Sequence, residues 1–231
     1  MRHDPEALMI FSAGLGTRMG ALTVSRPKPL VEVAGRPLVD HALDLAESAG
    51  IETIVANLHY LAEQLAAHLE PRGVVLSDER ENLLETGGGL RHALPFLGDG
   101  PVFTLNSDAV WTGANPLEQL RSQWKPDEMD ALLLLVSQES ALGHSGQGDF
   151  ILDDAGRLAR GPGLVYSGAQ IIKTEGLAAI TDEVFSLNRL WDRMMDEGRL
   201  FGAVHSGGWC DVGDPRGIAL AQAMLAGATD V

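Results

Sequence analysis

The sequence predicts an α/β fold with a mainly parallel sheet flanked by helices, on two observations. Through residue 136, short apolar runs alternate with longer amphipathic ones, the order of βαβ units. Directly after the first run stand Gly14 and Gly16, where an open α/β sheet collects its ligands beyond the strand ends.

The apolar runs at 8–12, 53–56, 74–77, 102–106 and 131–136 are the expected strands. Between the first two, Leu38, Ala42, Leu45, Ala46 and Ala49 recur at three- and four-residue steps, and Gly50 stands where a helix C-terminus needs its cap. Further helices are expected over 61–69, 86–97 and 116–124. The stretch "SQESALGHSGQGD" after residue 136 reads as a loop. Short strands at 150–153, 164–172 and 201–204 follow, forming a more antiparallel region laid onto the same sheet. Pro215 suits the first turn of a last helix, with Asp214 as its N-cap. No repeat, low-complexity tract or charge run marks a linker. A single domain over 1–231 is therefore expected, with 1–136 and 137–231 as its halves.

Composition narrows the function. Among 231 residues, 17 Lys and Arg face 32 Asp and Glu, a net charge of −15. That balance disfavours nucleic acid as a partner and adhesion to an anionic membrane. The apolar run at 131–136 is far shorter than the roughly 20 residues of a membrane span. No targeting segment is visible. Cys210 is the one cysteine, so no intramolecular disulfide can form; it is expected as a small buried residue of a cytoplasmic protein.

The chemistry concentrates in "AGLGTRMGALTVSRPKPL". Glycine at 14 and 16 lets backbone N–H groups approach a phosphate without a Cβ in the way. The dinucleotide fingerprint fails, because Met19 occupies the place of its third glycine, and the P-loop Gly-Lys-Ser/Thr is absent. The acidic residue a dehydrogenase needs at a strand end is missing too, since Asp40 and Asp44 lie inside the first amphipathic helix. Arg18 and Lys28 instead bring two cations to one loop of an acidic chain. Pro27 and Pro29 hold the lysine on a stiff segment expected to be extended. Such a loop suits a triphosphate.

Further motifs follow in order: "LLETGGGL" at 83–90, "LNSD" at 105–108, "GDF" at 148–150, "YSGAQII" at 166–172 and "GGWCDVGDP" at 207–215. Together with the opening loop they resemble the sugar-1-phosphate nucleotidylyltransferases (NDP-sugar pyrophosphorylases). These enzymes join a nucleoside triphosphate to a sugar 1-phosphate and release pyrophosphate. The resemblance implies a Rossmann-like, glycosyltransferase-A-like fold whose smaller antiparallel region binds the sugar. It implies that Gly14, Gly16 and Thr17 wrap the triphosphate and that Arg18 and Lys28 bind its phosphates, completing a catalytic set with Asp108. Asp108, at a strand end, is a natural ligand for Mg²⁺, which prefers hard oxygens. The resemblance supplies Asp211 as the second metal-binding aspartate.

Thr86, Gly87 and Gly88 are the implied nucleobase contacts, and close packing onto a neighbouring strand is the structural alternative for the glycines. Glu85 stands where many members have glycine, which leaves the base open. Asp149, Gly168 and Asn188 are the implied sugar contacts, on loops above the sheet. His144 is expected as a solvated loop residue, and His205 and Trp209 as packing.

The reaction this implies is in-line attack of a sugar-1-phosphate oxygen on the nucleotide α-phosphate, without a covalent enzyme intermediate or a general base. The short length and the "GDF…LVYSGAQII" passage look most like the branch that joins UTP to N-acetylmuramate 1-phosphate in bacterial cell-wall recycling. The guanylyltransferases, which take GTP with mannose or heptose 1-phosphate, overlap heavily in motif. A silent sensing module on the same fold is expected to lack a cation or a metal ligand, whereas Arg18, Lys28, Asp108 and Asp211 are all present.

Overall fold

The computed structural model describes residues 3–229. In chain order it builds β1 (Ala7–Phe11), β2 (Glu32–Val33), β3 (Arg36–Pro37), α1 (Leu38–Ser48), β4 (Thr53–Leu58), α2 (Ala62–Leu69) and β5 (Val75–Asp78). Then come α3 (Glu85–Leu97), β6 (Val102–Asn106), β7 (Ala109–Thr112), α4 (Pro116–Gln123) and β8 (Ala131–Val136). The rest forms β9 (Ala141–Leu142), β10 (Phe150–Leu152), β11 (Leu158–Arg160), β12 (Val165–Ile172), α5 (Asn188–Asp196), β13 (Leu200–Val204), β14 (Gly208–Asp211) and α6 (Pro215–Thr229).

Seven strands make one sheet in the order β13-β8-β12-β6-β1-β4-β5. Neighbours are parallel except where β12 runs against both β6 and β8. The antiparallel region is thus narrower than expected, since β13 lies parallel to β8. The segment after β12 reaches back to the start of α3, where Gly87 and Gly88 bond to Phe185. From there α5 returns the chain to the start of β8, where Asp130 N–H donates to Arg199 O at 2.9 Å.

Alternation along the strands splits the core between the two sheet faces. Leu8 and Ile10 of β1 pack with α1, α2 and α4, while Ala7 and Met9 pack with α3 and α5. With both faces covered, β8 is a continuous apolar run, and all six of its residues are buried. Each fully buried Leu or Met side chain contributes roughly 2 kcal/mol. The first helix ends at the predicted glycine: Gly50 takes φ +67° and its N–H bonds to Glu47 O at 3.0 Å.

A third cluster, with Val110, Cys210, Val212 and Ala221, joins α6 to a small sheet of order β7-β14-β9. This sheet and α5 are absent from the sequence expectations. The small strands are too short for periodicity to show, but α5 carried a signal: Leu187, Leu190, Trp191 and Met194 recur at helical steps, and all four are buried.

Candidate active site

The chain leaves β1 at the point where strand order reverses, with β4 on one side and β6 on the other. The root of the glycine loop is bound there by residues the sequence reading did not select. Ser12 and Ala13 N–H donate to Asn57 Oδ1 at 2.7 and 3.2 Å, and Ser12 Oγ donates to Asn57 O at 2.6 Å. Asn57 Nδ2 donates to Glu79 Oε1 at 2.9 Å, and the other Glu79 oxygen accepts Leu84 N–H at 3.2 Å. Both side chains are buried, so these bonds satisfy polar groups that are largely withdrawn from water. Polar residues at the ends of parallel strands were the available signal.

Beyond the root, Gly14 lines a cleft and Thr17 and Arg18 are exposed. Gly16 takes φ +64°, and a Cβ added there would lie 2.9 Å from Lys28 Cβ, so conformation and close approach both require glycine. Lys28 departs from the extended form expected before Pro29. It opens a single 3₁₀ turn, closed by Leu30 N–H to Pro27 O and Val31 N–H to Lys28 O, both at 2.9 Å. The turn buries Lys28, and its Nζ donates to Asp108 Oδ2 at 2.7 Å.

Asp108 lies in the turn from β6 into β7. β14 pairs antiparallel with β7, setting Asp211 opposite Ala109, and Val212 N–H donates to Asp108 O at 2.8 Å. Sheet register therefore makes neighbours of two carboxylates that are distant in sequence. Burial first, and then the charge of Asp108, push the Asp211 carboxyl above the usual carboxylate range, against Lys28, Arg18 and His144. Arg18 lies across Gly213 from Asp211: a methyl on Gly213 would be 3.0 Å from Arg18 Nη1 and 2.8 Å from Asp211 Oδ2.

Arg18, Lys28, Asp108 and Asp211 thus come together at one sheet edge. Two hard carboxylates whose charges oppose each other fit Mg²⁺, which usually takes one or two carboxylates and completes its shell with phosphates and water. Among the described residues no cluster of three or more Asp, Glu, His or Cys forms a self-sufficient cage.

Two adjoining clefts open beside this cluster and share Phe11, Glu85, Thr86 and Asn106. The first continues past Gly14, Asn57, Glu79 and Asp108; the second past Asp149, Arg160, Tyr166, Asn188 and Trp191. Of the three residues implied for the base, Thr86 faces both clefts, and its Oγ1 accepts Leu187 N–H at 3.0 Å. Gly87 and Gly88 line neither. Their N–H groups donate to Phe185 O at 2.9 and 3.0 Å, and a Cβ on Gly88 would lie 2.5 Å from Glu183 O. Their smallness serves close packing, against the 183–185 segment instead of a strand. Glu85 takes φ +64°, a left-handed conformation that side chains rarely adopt.

Among the implied sugar residues, Asp149 lines the second cleft and its Oδ2 accepts Tyr166 N–H at 2.8 Å. Gly168, at φ +89° in the irregular stretch of β12, makes room for Asn106: an added Cβ would lie 2.8 Å from that side chain. Asn188 is not on a loop but opens α5, where its Oδ1 accepts Arg160 Nη2–H at 2.7 Å. Asn106, Arg160, Tyr166 and Trp191 line this cleft without having been selected from the sequence.

His144 is half-buried with its Nε2 shielded, not solvated as expected. The loop holding it forms β9 against β14, and Gly143 turns at φ +77° close over Asp211 O. Cys210 is fully buried, and burial pushes its thiol up to about 11. His205 and Trp209 pack as expected around Trp111, with ring centroids at 5.0 and 6.4 Å. Asp214 caps α6, its Oδ1 accepting Arg216 N–H at 2.8 Å, and Arg216 holds its carboxyl down at about 2.

Residues 8–150 match the model of the MobA-like NTP transferase domain. The chain is 44% identical to N-acetylmuramate alpha-1-phosphate uridylyltransferase of Caulobacter vibrioides, over 98% of this chain and 99% of that one. The protein of the same name from Neisseria meningitidis is 34% identical, over 95% and 98%. Probable mannose-1-phosphate guanylyltransferase 3 of Oryza sativa is 26% identical, over 90% of this chain and 61% of its own length. In fold, the chain is similar to HddC from Yersinia pseudotuberculosis complexed with GMP-PN, at TM-score 0.76, 19% identity and coverage of 95% and 99%. The architecture is glycosyltransferase-A-like. Fold and similarity together define an enzyme of the nucleotidyltransferase class. The chain belongs to the MobA-like NTP transferase domain family.

Proposed function

We propose that the protein transfers a uridylyl group from UTP to N-acetylmuramate 1-phosphate, forming the UDP-sugar and pyrophosphate. The observation that carries this is the Lys28–Asp108–Asp211 cluster beside two adjoining clefts, one suited to a nucleotide and one to a sugar. End-to-end similarity to the Caulobacter uridylyltransferase supports the choice of UTP and N-acetylmuramate. The 1–136 half holds the nucleotide and the 137–231 half most of the sugar.

In this scheme the loop from Gly14 through Thr17 lies along the triphosphate, and Arg18 and Lys28 neutralise its phosphates. An oxygen of the sugar 1-phosphate forms a bond to the α-phosphorus as the bond from that phosphorus to the bridging oxygen breaks, and pyrophosphate leaves with the electron pair. The attacking group is already an anion at neutral pH, so no side chain has to remove a proton. Lys28 is in position before the reaction begins, and a preplaced cation stabilises developing charge without reorganising. Asp108 and Asp211 would hold Mg²⁺, which supplies further charge neutralisation on the phosphates. Thr86 borders the base and Asp149 the sugar, with Gly168 and Asn188 shaping the sugar cleft through Asn106 and Arg160. A UTP-dependent step belongs in the cytoplasm, where we place the protein; no helix among the described residues is long and apolar enough to cross a membrane.

The test is pyrophosphate release with Mg²⁺, crossing UTP, GTP, dTTP, ATP and CTP with N-acetylmuramate, N-acetylglucosamine, glucose, mannose and heptose 1-phosphates. Turnover should peak for UTP with N-acetylmuramate 1-phosphate. Turnover confined to GTP with mannose or heptose 1-phosphate would replace this assignment with a guanylyltransferase, and nucleotide binding without turnover would replace it with a sensing module.

A further inference from the structure

The second cleft is lined by three ionisable acidic or basic side chains, Glu85, Asp149 and Arg160, and Arg160 is the cation among them. Asp149 is engaged by Tyr166 N–H at 2.8 Å. Arg160 ends β11, and four residues hold its guanidinium in place. It lies 4.8 Å from the ring centroid of Phe150 and 5.7 Å from that of Trp191. Its Nη2 donates to Asn188 Oδ1 at 2.7 Å, and to Asp192 Oδ1 at 3.0 Å. Its Nε donates to the same Asp192 oxygen at 3.3 Å. Nη1 makes no hydrogen bond among the described residues. The side chains of Asp192 and Arg160 are 58% and 40% exposed, so water weakens this ion pair and leaves the arginine reachable. The site therefore presents the N–H donors of Nη1, on a guanidinium oriented by two aromatic rings and by Asn188, in an otherwise acidic chain.

Beyond the 1-phosphate that every candidate substrate shares, a neutral sugar ring offers such a group only hydroxyl and carbonyl oxygens, whereas a sugar bearing a carboxylate adds an anion. N-acetylmuramate differs from N-acetylglucosamine by an O3-lactyl ether that ends in a carboxylate. We infer that Arg160 is the specificity-determining residue that reads this carboxylate, oriented by Asn188, Phe150 and Trp191. This rests on the function proposed above and assigns within it the side chain that distinguishes the two sugars. A charge-assisted pair to a rigid guanidinium is expected to change affinity about 10- to 100-fold.

The experiment measures kcat and KM for wild type, Arg160→Gln and Arg160→Lys with UTP and either N-acetylmuramate or N-acetylglucosamine 1-phosphate, with melting curves for each protein. Arg160→Gln should lose about 10- to 100-fold more in kcat/KM on the muramate substrate than on the glucosamine substrate, mainly through KM. Arg160→Lys should recover part of the preference, since it restores the charge without the planar group that the rings and Asn188 orient. Equal losses on both substrates, or no loss on either, would overturn the assignment while leaving the uridylyltransferase reading intact. A wild type that ignores the muramate substrate but turns over another sugar 1-phosphate would overturn both.

Discussion

Replacing Lys28 by Met separates stability from catalysis at one bond. Lys28 Nζ is 2.7 Å from Asp108 Oδ2, with the lysine side chain 10% and the aspartate side chain 30% exposed. Removing the cation leaves Asp108 beside Asp211, whose carboxyl already feels the like charge of Asp108. A hydrogen bond between charged groups contributes about 1.5–3 kcal/mol, and the partial exposure of Asp108 brings the expected loss to about 1–2 kcal/mol. For a chain of this size that lowers the melting temperature by about 2–8 °C. Turnover should fall much further, by about 10²–10³, as when one preorganised charge-stabilising donor is removed. The double variant Lys28→Met with Asp108→Asn should recover most of the melting temperature, because the unpaired charge is gone, and none of the activity. Calorimetry and pyrophosphate release measure the two effects. Near wild-type turnover in Lys28→Met, or activity returning with stability in the double variant, would refute the phosphate role of this lysine.

Three further outcomes follow from the same geometry. Asp211 has its folded-state pKa raised, so its contribution favours the native state below the ordinary carboxylate range and is lost as pH rises through the raised value. Without divalent metal, Asp211→Asn should therefore melt higher than wild type at neutral pH, the difference vanishing near pH 3, while activity falls on the order of 100-fold or more; a lower melting point at neutral pH would contradict the burial argument. Gly88→Ala places a methyl against Glu183 O and should cost about 1–3 kcal/mol, a drop of about 2–12 °C; a raised KM for UTP at an unchanged melting temperature would show that the glycine serves the base. Cys210, buried and with its thiol near 11, should resist a disulfide reagent at pH 8 in the native protein and react fully once unfolded; rapid native labelling would show that the β7-β14-β9 sheet opens.

Much of the fold is legible in the order of residues because periodicity is a local property. Each strand of the large sheet from β1 to β8 overlaps an expected apolar run, and α1 stops at the glycine its pattern demands. The loop chemistry is legible for the same reason, since Gly14, Gly16, Arg18 and Lys28 lie on one short stretch.

What the chain order could not express is contact between elements. Asp108 and Asp211 meet because β14 pairs with β7 in one register, and a ladder between strands so far apart leaves no local trace. The same holds for Asn57 and Glu79 beneath the glycine loop, for Gly143 packed over Asp211, and for Arg160 set against Phe150 and Trp191. The "TGGG" run shows the division within one motif. Its three small residues are evident in the sequence, but Phe185 and Glu183, which require Gly87 and Gly88 to be small, arrive from the segment before α5. The sequence by itself determined the strands and helices of the large sheet's first half and which loop carries charge. Tertiary structure alone decided which carboxylates, cations and rings face one another, because side chains distant in sequence come within bonding range only after strand register and helix packing have placed them.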